Sequence, residues 1–394
     1  MRRFSTTWKM FRSELTPDPI YDDETRAKCR AAYLLRASSR VRRSALESLR
    51  VINPSALALF LILLGSVACS GDKTAAPVGS TDTPSAVPSA APASAPLRVA
   101  YSDWPGWTAL EVGIQKGWFN EAGVDVEFSW FDYLPSMEAF SAGKVDAVTM
   151  TNGDALVTGA NGGKSKMILL TDYSNGNDKV IARPGIKTIQ DLKGKKVGLE
   201  LTLVEHLLLL QGLKKLDMQQ SDVTLVNFRT NETPQALASG QVDAVAAWYP
   251  TSTQALTAIP GATAIWTSAD VPGLIYDAIA VSPQSYAQRK SDWAKFVKVW
   301  FRIVAYVKDP ATQADAVAIM AAKVGVKPEE YAAAMPGTYF LSLEETKQRF
   351  VKGPGLSSLY GSTQIADDFN VANKVYAQPQ VIDEYIDAEL VNSL

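Results

Sequence analysis

Between residues 97 and 268 the apolar and polar positions run through one order twice. Short Val-rich runs begin at 97 (LRVAYS), 124 (VDVEFSWF) and 145 (VDAVTM), and again at 195 (KKVGLE), 223 (VTLVNFR) and 242 (VDAVAAWY). Their length and β-branched content predict strands. The starts lie 27 and 21 residues apart in the first set, 28 and 19 in the second. Apolar residues at helical spacing fill the gaps, over 108–122 and 203–217 after the first strands and over 135–143 and 233–240 after the second. Each half therefore predicts β-α-β-α-β, an alternation that implies a parallel sheet with right-handed crossovers. The phrase common to both halves, Val-Asp-Ala-Val at 145–148 and 242–245, opens each third strand. Gly143 and Gly240 before it suit helix ends, where positive φ is wanted. Asp146 and Asp243 are expected to bond local amides rather than a ligand.

Each half adds a fourth strand, KMILLTDYS (166–174) and ATAIWTS (262–268). Two more, KVIARPG (179–185) and YDAIAVSP (276–283), fall where the chain would pass from one half to the other and back. Residues 285–394 are mostly helical by pattern, as in SDWAKFVKVWFRIVAYVKD and SLEETKQRFVK.

The first 96 residues differ from the rest. A basic stretch over 1–50 leads into the apolar run ALALFLILLGSVA (56–68) and then Cys69. A charged segment, about a dozen apolar residues and small residues before a cut describe an export signal, too short for a comfortable membrane span. The ending SVAC (66–69) resembles the bacterial lipobox, which implies cleavage before Cys69 and a diacylglycerol on its sulfur. Residues 1–40 are long for such a signal, so the true start is expected further downstream. Residues 70–96 are an Ala/Pro/Ser/Thr tether that cannot bury enough apolar surface to order itself.

Charge and composition narrow the chemistry. Residues 1–68 carry 12 of the 39 Lys and Arg and 6 of the 41 Asp and Glu, leaving 27 cationic against 35 anionic side chains, a net of −8. A mature chain this acidic is not expected to bind nucleic acid. With two cysteines and one histidine in all, no metal site and no cofactor is expected.

Several further motifs, in this order, carry a family resemblance: GIQKGWFNEAGVDVEF (113–128), AFSAGKVDAV (139–148), TIQDLKGKKVGLE (188–200), VEHLLLLQGLKKL (204–216), ALASGQVDAVAAWYP (236–250) and YFLSLEETKQRF (339–350). Together they resemble type II periplasmic substrate-binding proteins, in the branch serving ABC importers of nitrate, taurine, alkanesulfonates and thiamine-precursor pyrimidines. The resemblance implies two doubly wound α/β lobes joined by a two-crossover hinge and closing on one small ligand. It implies delivery of that ligand to a permease and its ATPase; with the lipobox, the carrier is expected to be an exported, lipid-anchored monomer. Lobe 1 is expected over 97–177 plus 273–394, and lobe 2 over 178–272. The fold is shared by pyrimidine-forming enzymes of thiamine biosynthesis, but their cysteine cluster and histidine have no counterpart here. The chain is expected not to be an enzyme. The alternatives are the same fold binding an alkanesulfonate, taurine or nitrate-type anion, or a sensor using the same jaw.

Ligands of open parallel sheets bind beyond the carboxyl ends of the strands. Those ends offer Ser102, Asp103, Trp104 and Trp107, then Trp130, Phe131 and Tyr133, then Thr151, Asn152 and Asp154 in lobe 1. Lobe 2 offers Glu200 and Thr202, then Arg229, Asn231 and Glu232, then Trp248 and Tyr249. The rings either touch ligand or pack in the core or hinge; Trp104 and Trp248 are the first choices as ligand contacts. Asn152, Asp154, Glu200 and Thr202 are expected to orient polar groups, with Thr202 also capping the next helix. Sulfonate and nitrate binders of the family commonly have a Ser/Gly-rich turn at that helix start, where this chain has LELTLVEHL (199–207). Asp103, Asp154 and Glu200 weigh against a strongly anionic ligand and toward a cationic, zwitterionic or neutral nitrogen compound. Arg229 is a counterweight, pairing with a ligand acid or with Glu232. His206 could contact ligand from the same helix but reads as a satisfied structural histidine.

Overall fold

The computed structural model describes residues 95–394. Cys69, the export segment before it and nearly all of the tether lie outside the described residues. One sheet contains β1 (Leu97–Tyr101), β2 (Val126–Trp130), β3 (Ala147–Thr151), β4 (Lys166–Ser174), β10 (Tyr276–Val281) and β11 (Thr338–Phe340). The other contains β5 (Lys179–Ala182), β6 (Lys196–Leu199), β7 (Thr224–Asn227), β8 (Ala244–Ala247) and β9 (Thr263–Thr267). Their orders are β11-β4-β10-β3-β1-β2 and β7-β6-β8-β5-β9. Apart from the added β11, the two lobes are built to one plan.

The repeated phrase does one job in both. The Asp146 carboxylate accepts from the Arg98 N–H at 2.9 Å, and that of Asp243 accepts from the Lys196 N–H at 2.8 Å. Each aspartate's own N–H donates to the carbonyl of the same partner at 2.8 Å. Each thus ties the start of a third strand to the start of a first, and Gly143 (φ +69°) and Gly240 (φ +76°) end the preceding helices as expected.

The sheets are mixed rather than parallel throughout. β1–β3 pair in parallel, as do β6–β8, but β10 enters antiparallel between β3 and β4, and β5 antiparallel between β8 and β9. The reason is where the chain crosses. β1–β4 end at the cleft, so a strand entered directly from a crossover must begin there and run the other way.

In lobe 1 the expected helix over 108–122 is three pieces, α1 (Pro105–Thr108), α2 (Leu110–Gln115) and α3 (Trp118–Glu121), with Gly117 at φ +71° before the last. Then come α4 (Tyr133–Ser141) and α5 (Asn152–Ala160), whose cap is Thr151. Lobe 2 has α6 (Val204–Lys215), α7 (Thr233–Ala238) and α8 (Thr251–Ala258). The C-terminal part returns to lobe 1 with α9 (Pro283–Gln288), α10 (Lys290–Lys308), α11 (Gln313–Val324), α12 (Pro328–Ala334), α13 (Leu343–Arg349) and α14 (Leu359–Ala372). α10 buries Trp293, Phe296, Trp300, Ile303 and Val307, a stripe at three- and four-residue steps. β11 was not expected from the pattern, since three residues give too short a signal. The two crossovers lie side by side: the Ser174 and Ser268 hydroxyls meet at 2.6 Å, and the Gly176 N–H donates to Ser268 at 2.7 Å.

Candidate functional site

The strand ends of both sheets meet across an interlobe cleft; besides a small space of about 10 Å³ among Asn152, Asp154, Thr202 and Leu207, it holds an outer and an inner one. The outer one is a cavity of about 320 Å³, bounded by Asp103, Trp130 and Tyr133 of lobe 1 and by Glu200, Arg229 and Trp248 of lobe 2. The inner one, about 10 Å³, lies among Trp104, Trp107, Tyr133, Asp178, Trp248 and Asp277. Tyr133 and Trp248 border both.

The expected aromatic residues divide between these spaces and the core. Trp107 stacks on Tyr133 at 5.2 Å, and Trp248 meets Tyr133 edge-on at the same distance. Trp248 also donates its indole N–H to Asp103 at 3.1 Å, a hydrogen bond between lobes. Trp104 lines the inner chamber, but its N–H is committed to both Asp172 oxygens, at 2.9 and 3.0 Å. Trp130, 39% exposed, forms the rim, with the Lys323 ammonium 4.7 Å from its ring. Glu111 holds that ammonium in place at 2.6 Å. Tyr249 borders neither space; it is fully buried and packs edge-on against Tyr331 of α12.

The expected polar residues divide as well. Asp154 accepts from the Tyr133 hydroxyl at 2.7 Å and is almost fully buried. Asn152 is spent on the protein: its NH₂ donates to Ser362 and Thr363 of α14, and its carbonyl accepts from the Tyr276 N–H. Glu200 lines the outer cavity and accepts from Thr230, 3.1 Å from its hydroxyl. Thr202 is not the helix cap. Leu203 holds that position without a side-chain bond, and Thr202 sits at φ +71°. The turn is fixed by His206 instead, whose Nδ1 accepts from the Thr202 N–H at 3.3 Å while Nε2 meets Gln220 at 3.0 Å. Burial holds that imidazole below its usual pKa, which fits a neutral structural ring. Glu232 accepts from the backbone of Arg229, whose side chain borders the outer cavity.

Sequence reasoning missed most of the acid groups. Asp172 of β4 and Asp277 of β10 face each other in register, and Asp178 stands in the first crossover. Glu205 lies in the first turn of α6, with both carboxylate oxygens lacking a hydrogen-bond partner. Burial pushes Asp154 up to about 7, and Asp103 and Asp178 up to about 6. It raises Asp172 too, and lifts Asp277 and Glu205 well above the carboxylate range. A signal was present: a lone aspartate inside the apolar runs KMILLTDYS and YDAIAV, where an unpaired charge is costly.

The head of α6 deserves comparison with an anion site. Helix N-termini favour negative guests, yet here the Val204 N–H faces the carboxylate of Asp154 from the opposite lobe. Lobe 1 thus fills that position with a carboxyl group of its own. Among the described residues no three His, Cys, Asp or Glu side chains converge to hold a metal ion, and no helix is long and apolar enough to cross a membrane.

Comparison with known proteins agrees with this architecture. The SsuA aliphatic sulphonate binding protein of Escherichia coli is 17% identical, with a TM-score of 0.62 over 76% of this chain and 100% of that one. The nitrate-binding protein NrtA of Synechocystis PCC 6803 is 9% identical, also at 0.62, over 75% of this chain and 87% of that one. The desulfurization enzyme DSZB is 17% identical at 0.54, over 75% and 98%. At these identities the likeness is one of fold. A Brucella abortus (strain 2308) protein named as a binding protein is 32% identical over 177 residues, 44% of this chain and 54% of its own. The chain spans about half the length of the curated relatives it matches. The family model described as NMT1/THI5 like matches residues 104–332, more than half of the sequence, and the protein belongs to that family.

Proposed function

We propose that the protein is the substrate-binding component of an ABC importer, which holds one small nitrogen-bearing solute between its lobes and passes it to a permease driven by an ATPase. The observation that carries this is the interlobe cleft, where the Trp248–Asp103 hydrogen bond joins the two lobes beside a cavity of about 320 Å³. That is the arrangement a hinge-closing binder needs. The solute docks on one lobe, and the other closes by favouring the bound form. The alkanesulfonate- and nitrate-binding proteins of the same fold support the transport role.

The solute differs from theirs in charge. Asp103, Asp132 and Glu200 border the outer cavity and Asp178 and Asp277 the inner one, against Arg229 and Lys323. Aromatic faces with an excess of carboxylates suit an amine or a neutral heterocycle. The protein works outside the cytoplasm as a monomer, held at the membrane by a lipid on Cys69, and it binds without turnover.

A thermal-shift panel of amines, amides, pyrimidines, sulfonates and nitrate on the full-length protein tests this. A ligand at a hundred times its dissociation constant stabilises the folded state by about 2.7 kcal/mol. The expected result is a shift with a neutral or cationic nitrogen compound, which is recovered chemically unchanged. A shift with sulfonates or nitrate alone would reverse the charge assignment. A deletion strain that keeps uptake of that solute but loses a transcriptional response would make the protein a sensor.

A further inference from the structure

The inner chamber, about 10 Å³, has room for one water-sized group. Two of its walls are acids from different elements, Asp178 of the first crossover and Asp277 of β10. They are 3% and 1% exposed, and each keeps one carboxylate oxygen without a hydrogen-bond partner. Acceptors left unpaired away from water are costly, and two on one chamber call for a guest that donates; the Trp107 indole N–H on the same wall is the one donor without a partner there. An ammonium group has three N–H donors and no acceptor. The rest of the wall is Thr151, Val204 and Ile275 with the rings of Trp104, Trp107, Tyr133 and Trp248, and aromatic rings attract a cation to their faces.

We infer that this chamber is the subsite for a primary ammonium group of the carried solute. Asp178 and Asp277 accept from the –NH₃⁺, and its stem passes Tyr133 and Trp248 into the outer cavity. This rests on the proposal that the cleft holds the transported solute.

Charge and size both select the guest. Asp172 bonds Asp277 from one side, Asp154 and Glu205 stand beyond, and Glu200 lies further out. The facing cation is Lys179 beside Asp178, and its Nζ reaches toward Asn177 at 3.5 Å. The acids outnumber it, so a cation among them favours their charged forms and displaces to solvent protons that burial holds on the carboxyl groups. A trimethylammonium head is larger than the single water-sized group the chamber admits. Beyond the stem, Arg229 and Lys323 suit a polar or acidic tail.

The test uses the full-length protein with four probes sharing a five-carbon chain: pentylamine, 5-aminopentanoate, the N,N,N-trimethyl analogue of the latter, and pentanoate. Calorimetric titration at neutral pH should show both amines binding at least tenfold more tightly than the other two. Asp178→Asn and Asp277→Asn should each weaken amine binding at least tenfold. Melting of the variants without probe should match or exceed that of the parent, since burial already disfavours these charges. Titration of the parent in buffers of different ionisation enthalpy, near the Asp178 value of about 6, should register protons released on binding; this readout stands even if a variant unfolds. Equal binding of the trimethyl compound or of pentanoate overturns the assignment, and so does amine binding untouched by both variants, or no amine binding at millimolar concentration. Amine binding that holds while a deletion strain imports amines at the parental rate would sink the transport role and leave the subsite standing.

Discussion

Trp248 has two separable roles, an aromatic wall for both spaces and an indole N–H donor that bonds Asp103 across the lobes. Trp248→Ala removes both and should raise the dissociation constant of the best amine at least tenfold, about 1.4 kcal/mol. Trp248→Phe keeps a ring face, so it should recover part of that loss, measured by the same titration. An affinity unchanged in Trp248→Ala would take this residue out of the site. Its neighbour Tyr249 should behave differently. That hydroxyl is buried without a partner, so Tyr249→Phe removes an unsatisfied group. It should leave solute affinity alone and keep or raise the urea midpoint. A clear loss of stability would mean that the hydroxyl has a partner, such as a buried water.

The doubled Val-Asp-Ala-Val shows at the level of elements what the sequence could reveal. Strand runs, helix stops and the two-lobe plan were legible because spacing and period record them directly. Asp146 and Asp243 follow from the same pattern, and their near-identical bonds turn one motif into two matched joints. The joints differ in one respect: Asp146 also holds the Arg98 guanidinium at 2.8 and 3.1 Å. Asp146→Ala should therefore cost about 2 kcal/mol and Asp243→Ala about 1 kcal/mol in denaturant unfolding. Equal losses would mean that the arginine adds nothing. Less legible was whatever depends on strands meeting from distant parts of the chain. β10 brings Asp277 beside Asp172 and Thr151 only because it inserts between β3 and β4, and no local period encodes an insertion. The bonds that hold Asn152 were hidden for a similar reason, since its partners Ser362 and Thr363 lie about 210 residues away. The Thr202 cap did not form because Leu203 takes the cap position and the Thr202 N–H donates to His206 Nδ1.

Across the whole molecule, the cleft acids set how stability depends on pH. Asp103 and Asp178 titrate near 6 and Asp154 near 7 in the fold, against about 3.9 for an aspartate in an unfolded chain. A raised folded value means that the folded state binds more protons between those limits, so these groups make stability fall as pH rises from about 4 to about 7. Carboxylates such as Asp146 and Glu345, lowered by their partners, act in the other direction at lower pH: their contribution is lost as acid protonates them. His206, lowered by burial, also reduces stability as pH falls below about 6.5, where the unfolded chain takes up a proton that the fold resists. One imidazole stands against these three aspartates, with Asp172, Asp277 and Glu205 raised as well, so the acids should dominate. The ligand-free protein should then be most stable near pH 5, with a melting temperature that falls toward pH 8. Calorimetric melting in half-unit pH steps checks this. A cation in the cleft stabilises the charged carboxylates, so the decline should flatten when amine is present, and amine affinity should itself rise between pH 6 and 7. A melting temperature that climbs steadily to pH 8 without ligand would mean that water or a counter-ion already reaches these carboxylates, and that the cleft stands open in solution.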